Sequence, residues 1–366
     1  MAYTTIDDPS AFFQTALYTG NGTAIGSGGL TVTNDGNSDL QPDWIWHKKR
    51  GSAESHAVAD TNRGTHKGIF PNETSAESSG GSQYVNSFNT DGFTVGNVGW
   101  ANDSSQTYVA WQWKANGGTT TTNDASATSV GTHDSVYQAN TTAGFSIVTW
   151  TGNAEQETLA HGLGAIPDMI WIKNRADSEG WWVGAASAGS ISGGKYLLLH
   201  LDNAVATNST SFVNQDPTST VFRVGGSNST ADNAVNGNGD NMIAYCFTSI
   251  QGYSKIGSYV GNGNADGTFV YTGFRPAWIL IKRIDSTTSW RIIDSKRDPL
   301  NGCEARLFPD NTDTENTSAV VLDILSNGFK IKSTNGGVNN SGSDYVYMAF
   351  AEHPFVSSKG VPVTAR

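Results

Sequence analysis

Three times along the chain a proline is followed by an almost unbroken apolar run that ends in basic residues. The copies are Gln41-Pro-Asp-Trp-Ile-Trp-His-Lys-Lys-Arg50, Ile166-Pro-Asp-Met-Ile-Trp-Ile-Lys-Asn-Arg175 and Arg275-Pro-Ala-Trp-Ile-Leu-Ile-Lys-Arg-Ile284. Proline has no N–H to give a ladder and suits the first residue of a strand. The run behind it is too continuous for a strand with one wet face. It predicts a strand covered on both sides, or one whose second face meets a neighbouring domain.

Other patterns keep a fixed order around this central strand. Upstream lies a short strand closing on Gly-Asn, at Ala16–Gly22, Ile147–Asn153 and Ile256–Gly263. Downstream come a turn and strand, at Asn89–Gly96, Thr220–Gly225 and Ser326–Ile331, and then a closing strand, at Tyr108–Lys114, Met242–Thr248 and Tyr345–Ala351. Pro42, Pro167 and Pro276 therefore mark a period well above the roughly 20–50 residues of a solenoid repeat, so the unit is a domain.

The pattern divides the chain into an N-terminal arm (1–11), a first repeat (12–115), a linker (116–143), a second repeat (144–250), a third (254–354) and a tail (355–366). The linker is rich in Thr, Asn, Ser and Gly, which predicts an extended segment that buries little. Turn signals such as Asp91-Gly92 and Asn327-Gly328 separate the β runs. The expectation is an all-β protein of three tandem antiparallel β-sandwich units, jelly-roll or lectin-like.

Composition sharpens this. Charged residues make up only 15% of the 366 positions and Gly occurs 42 times, a polar, turn-rich profile. With 11 Trp, 12 Tyr and 15 Phe the chain can build several cores. A net charge of −11 without a basic stripe argues against nucleic acid. No basic-then-apolar start and no run of 18 apolar residues occur, so the expected protein is soluble, made in a cytoplasm and not inserted in a membrane.

Candidate chemistry is sparse. None of the seven histidines falls at a metal-ligand spacing, and His161, in Leu159-Ala-His-Gly-Leu-Gly164, reads better as a turn residue than as a general base. Asp232 and Asp240 could offer oxygen ligands to Ca²⁺, yet ordinary Asx turns account for them. Cys246 and Cys303 read as small buried side chains. Asp60–Arg63 and Asp294–Arg297 repeat one spacing, read as local salt bridges. Neither a catalytic residue, a metal site nor a cofactor is assigned, and no enzyme activity is expected.

Aromatic residues bear more on function. Trp44 with Trp46, and Trp111 with Trp113, share strand faces and read as core, or alternatively as a surface for sugars or subunits. Trp181 and Trp182 are adjacent, cannot both face one core, and are the candidate exposed binding residues.

Tyr3–Gly22, Gly144–Asn153 with His161–Gly164, and Tyr345–Pro354 together resemble a family of bacteriophage virion proteins common in marine phages. The resemblance implies a virion protein assembled in the host cytoplasm, similar to tail-fibre and head-decorating proteins, and it transfers no site. The expected role is a tail fibre or adhesin. A head fibre, knob or cement protein is the alternative, and a polysaccharide depolymerase a third reading. Expected partners are other virion proteins, a host surface glycan or protein, and further copies of the chain, a trimer being the first candidate.

Overall fold

The central strands form where the apolar runs lie, at Trp44–Lys49, Met169–Asn174 and Phe274–Arg283. The structure, a computed structural model, describes residues 2–79, 81–186, 194–208, 216–225 and 230–362, without the side chains of 82 and 230–232. It is all-β: every strand pairing is antiparallel, and the described helices are short.

One strand order recurs three times. In the first unit the opening strand Phe13–Thr19 pairs with the closing strand Thr107–Trp113; that strand pairs with the central strand, which pairs with a fourth, Ala57–Asp60. The third unit repeats this order with Ser254–Val260, Asp344–Pro354, Phe274–Arg283 and Arg291–Asp294. So does the second, with Phe145–Thr151, Asn241–Phe247, Met169–Asn174 and Trp181–Ala185. A smaller sheet covers the outer face of each, three-stranded in the first and third units and two-stranded in the second.

The continuous apolar runs follow from what lies on each side of these inner sheets. Ile45, Ile170 with Ile172, and Ile279 with Ile281 point outward, each into its own unit's core. Trp44, Trp46, Trp171, Trp278 and Leu280 point inward, into one core shared by all three units. Trp44 lies within 6 Å of Trp113, Phe145, Trp171, Tyr245 and Phe247, so the first and second units are fused through aromatic contact. Phe350 and Trp278 of the third unit complete the cluster against Trp113.

The Gly-Asn turns have a common cause. A buried Asn on a one- or two-turn helix, Asn102, Asn236 or Asn339, bonds back to the turn after each opening strand. The chain passes so close that a Cβ on Gly20, Gly152 or Gly261 would sit 2.1, 2.1 or 2.2 Å from the carbonyl oxygen of the residue that follows the helix, Asp103, Gly237 or Asn340. Only glycine fits there.

Two expectations change. The stretch expected to be an extended linker, 116–143, carries Thr121–Asn123 and Ser135–Asn140, which add two strands to the second unit's inner sheet. Its Thr-rich composition suits an edge hairpin as well as a coil. Asp43 accepts bonds from the backbone N–H groups of Ala115, Gly117 and Gly118 and pins its start. The arm is also packed down: Ile6 is buried, Tyr3 donates to the Gly273 carbonyl and Asp7 receives the Ser358 N–H.

Candidate functional site at the seams between units

The last residue but one of each central strand is a lysine whose side chain is buried: Lys48, Lys173 and Lys282. An ammonium group without a solvation shell must find acceptors. Each finds backbone carbonyls, one of them in the next unit around the ring. Lys48 reaches Thr312 of the third unit (3.0 Å), Lys173 reaches Thr74 of the first (3.2 Å) and Lys282 reaches Asp202 of the second (3.1 Å). Burial pushes each of these amines down to about 8.

The same cyclic order governs the side chains beside them. His56 reaches the Phe308 carbonyl (2.9 Å), Trp181 Nε1 donates to that of Phe70 (2.8 Å), and Trp290 Nε1 to that of Leu198 (2.9 Å). Trp46 Nε1 donates to His56 Nδ1, so it is Nε2 of that ring that carries the proton donated to Phe308. First meets third, second meets first, third meets second: a pseudo-three-fold ring made by one chain.

Ion pairs close two of the three seams. Arg50 clasps Glu315 of the third unit at 2.7 and 3.0 Å, and Arg175 clasps Glu77 of the first at 2.9 and 3.0 Å. Behind each glutamate lies the repeated pair, Arg297–Asp294 and Arg63–Asp60, fully buried at 2.5 Å. Burial works against the Arg63 charge, but Asp60, Tyr245 and Glu77 outweigh it and raise its pKa. Burial likewise opposes the Glu77 and Glu315 charges, and their arginines win, holding both carboxyls below the usual range. At the third seam Ile284 and Val205 take the places of arginine and glutamate, joined by the Val205 N–H to the Ile284 carbonyl (2.8 Å).

The residues singled out from sequence fall as follows. Trp181 and Trp182, expected to be exposed binding residues, are 0% and 7% exposed. They do face opposite ways, but both faces of their strand are covered: Trp181 enters the shared core and Trp182 the second unit's own, against Tyr196 at 4.1 Å. His161 is buried, accepts the Leu163 N–H and contacts the Thr218 carbonyl; burial lowers it to about 4, so it is a neutral turn residue. Asp240 accepts from Asn174, while the Asp232 side chain lies outside the described residues. Both cysteines are buried thiols whose pKa burial raises. Among the described residues no group of three or more His, Cys, Asp or Glu is placed to hold a metal ion.

A family model described as a domain of unknown function (DUF7483) matches residues 8–354. The chain belongs to that family. The single DUF7483 match runs across all three units, the same span that the seams hold together. Curated proteins give no match.

One concave feature among the described residues of this DUF7483 chain lies between two units. A cleft of about 320 Å³ lies where the first unit's opening strand approaches the third unit. Phe13, Gln14 and Thr15 form one wall, Ser295, Lys296 and Pro299 another, and Ala351 to His353 the floor. Lys296 is paired with Asp35 at 2.6 Å and Glu352 with Arg275 at 2.8 Å. Thr15 Oγ1, shielded from solvent, has no hydrogen-bond partner.

Proposed function

We propose that this protein is a structural component of a phage virion, acting as a tail fibre or adhesin whose surface meets the host. The observation that carries the structural role is the seam ring. The lysines, the arginine–aspartate pairs and their glutamates are spent on holding three units in one arrangement, each bonded to carbonyls or to an opposite charge. Buried, fully paired networks of this kind rigidify and specify a fold, which suits a particle component that must hold its shape. The phage setting rests on the sequence resemblance at Tyr3–Gly22, Gly144–Asn153 and Tyr345–Pro354.

A capsid-decorating knob or cement protein is the second reading, favoured by the three-fold arrangement itself, which matches the local symmetry of a shell lattice. The trimeric packing expected of a fibre is here supplied within one chain, so a single copy can cap a three-fold axis. Cryo-electron microscopy of whole particles tests both. A few copies at the tail support the adhesin, and a copy at each lattice point of the head supports decoration. Absence of the chain from purified particles sinks the virion reading.

A further inference from the structure

The pseudo-three-fold arrangement shows which positions are filled at one seam and empty at another. In the second unit the opening strand is not an edge. Its neighbour is Ser135–Asn140, with Asn140, Gln138 and Val136 opposite Phe145, Ile147 and Thr149. Gln138 then spans the seam to the first unit, donating to Thr61 Oγ1 (2.8 Å) and Asn62 Oδ1 (2.7 Å). Asn62 in turn donates to the Ile147 carbonyl (3.3 Å).

The first unit has no such neighbour. Phe13, Thr15 and Leu17 correspond to Phe145, Ile147 and Thr149, since Phe13 lies opposite Trp113 as Phe145 lies opposite Phe247. Bonds from Lys114 N–H to the Phe12 carbonyl and from Gly20 N–H to the Gln106 carbonyl set the alternation. It turns the N–H and C=O of Phe13, Thr15 and Leu17 away from the closing strand. No described residue bonds to those groups. Ser295 and Lys296 stand where Thr61 and Asn62 receive Gln138, because Asp294 and Asp60 occupy the same ladder position. The cleft is therefore the place that the chain's own strand fills at the neighbouring seam.

We infer that the free edge of Phe13–Leu17 is an acceptor for one extended strand of a partner polypeptide, added antiparallel in the register that Ser135–Asn140 shows. Strand addition to an exposed edge is a general mode of peptide recognition: main-chain bonds supply affinity and alternate side-chain pockets supply specificity. An unprotected edge otherwise invites unwanted pairing. The cleft volume, at the small end for a ligand pocket, admits the inward side chains of a strand. Lys296 pairs with Asp35 and Arg275 with Glu352, which leaves Asp8 in excess around it and favours a neutral or basic segment over an acidic one. The inference is independent of where the protein sits on a particle.

The test uses the full chain and a synthetic, end-capped peptide of residues 135–141, which carries no acidic residue, with amide hydrogen exchange as one readout and anisotropy of the labelled peptide as the other. Saturating peptide is expected to slow exchange at Phe13, Thr15 and Leu17, with no change at Phe145–Thr149. Thr15→Pro, which removes an edge N–H that no ladder uses, is expected to weaken binding by about ten-fold, the factor that roughly one lost hydrogen bond produces. A peptide N-methylated at the Gln138 position removes one bond from the other side and leaves the protein intact; a similar loss is expected. No protection with peptide at about 1 mM, a concentration that detects even weak association, overturns the inference. So do protection confined to Phe145–Thr149, indifference to N-methylation, or a saccharide that protects the cleft where the peptide does not.

Discussion

Trp111, in the closing strand of the first unit, donates its indole N–H to the Asp294 carboxylate of the third, 3.0 Å away. Tyr245 of the second unit makes the matching bond to Asp60 of the first, at 2.6 Å. At the remaining seam the corresponding ladder positions hold Met348 and Ala185, so donor and acceptor are lost together. Neither is left buried and unpaired, which would cost more than the bond returns.

The seam thus predicts a steep penalty for removing one partner alone. Asp294→Ala leaves the buried Arg297 guanidinium without its nearest carboxylate and Trp111 without an acceptor. Stability is expected to fall by about 3–5 kcal/mol, as when one member of a buried ion pair is deleted. Adding Arg297→Leu is expected to restore part of the loss. Urea unfolding of the single and double variants checks both.

Acid is expected to loosen the protein before neutral or mildly alkaline pH does. Burial lowers His47 to about 3, His161 and His200 to about 4, and His56 well below its ordinary value. These groups stay neutral when folded but protonate near pH 6.5 when unfolded. Their contribution is full above pH 6.5 and is lost as pH falls toward 4. Glu77 and Glu315, held low by their arginines, add a second loss below the ordinary carboxylate range. Melting temperature should therefore drop between pH 6.5 and 4, and His161→Gln should flatten that dependence.

Trp181→Phe tests the burial of the tryptophan pair. The variant loses the bond to the Phe70 carbonyl, which keeps the Glu73 N–H, so the cost is that of one hydrogen bond, about 0.5–1.5 kcal/mol. Its effect should appear in the urea unfolding midpoint.

Gly261→Ala should destabilise by about 1–3 kcal/mol, because a Cβ there meets the Asn340 carbonyl oxygen at 2.2 Å. Gly26→Ala is the control, since a Cβ there has nothing within 4 Å and its backbone lies outside the left-handed region. Thermal unfolding of the two variants separates crowding from a general dislike of substitution.

The three-fold repeat and the all-β class were legible because strand burial is written in residue periodicity, as at Trp44-Ile-Trp46. The same runs signalled that a second face would be covered. What covers it was hidden, since a shared core is a relation between positions over a hundred residues apart. Adjacent Trp181 and Trp182 suggested exposure only on the assumption of a single core. The seam lysines left a trace, a basic residue closing each apolar run, but the acceptors are backbone carbonyls at Thr312, Thr74 and Asp202, which carry no side-chain signature. Glu77 and Glu315 sit in long polar stretches without periodicity, where composition says only that the chain turns. The strands of 116–143 were missed because Thr and Ser serve an edge hairpin as readily as a coil.

Joining the three units in one polypeptide changes how the assembly responds to dilution. Three separate subunits meeting around the Trp44 core would fall apart as concentration dropped, whereas here each seam forms at the effective concentration set by its connection to the next. It also frees the units to diverge. A homotrimer presents every groove three times, while this chain can close two seams with ions and the third with Ile284 and Val205, and can give the second unit's opening strand a neighbour that the first unit's lacks.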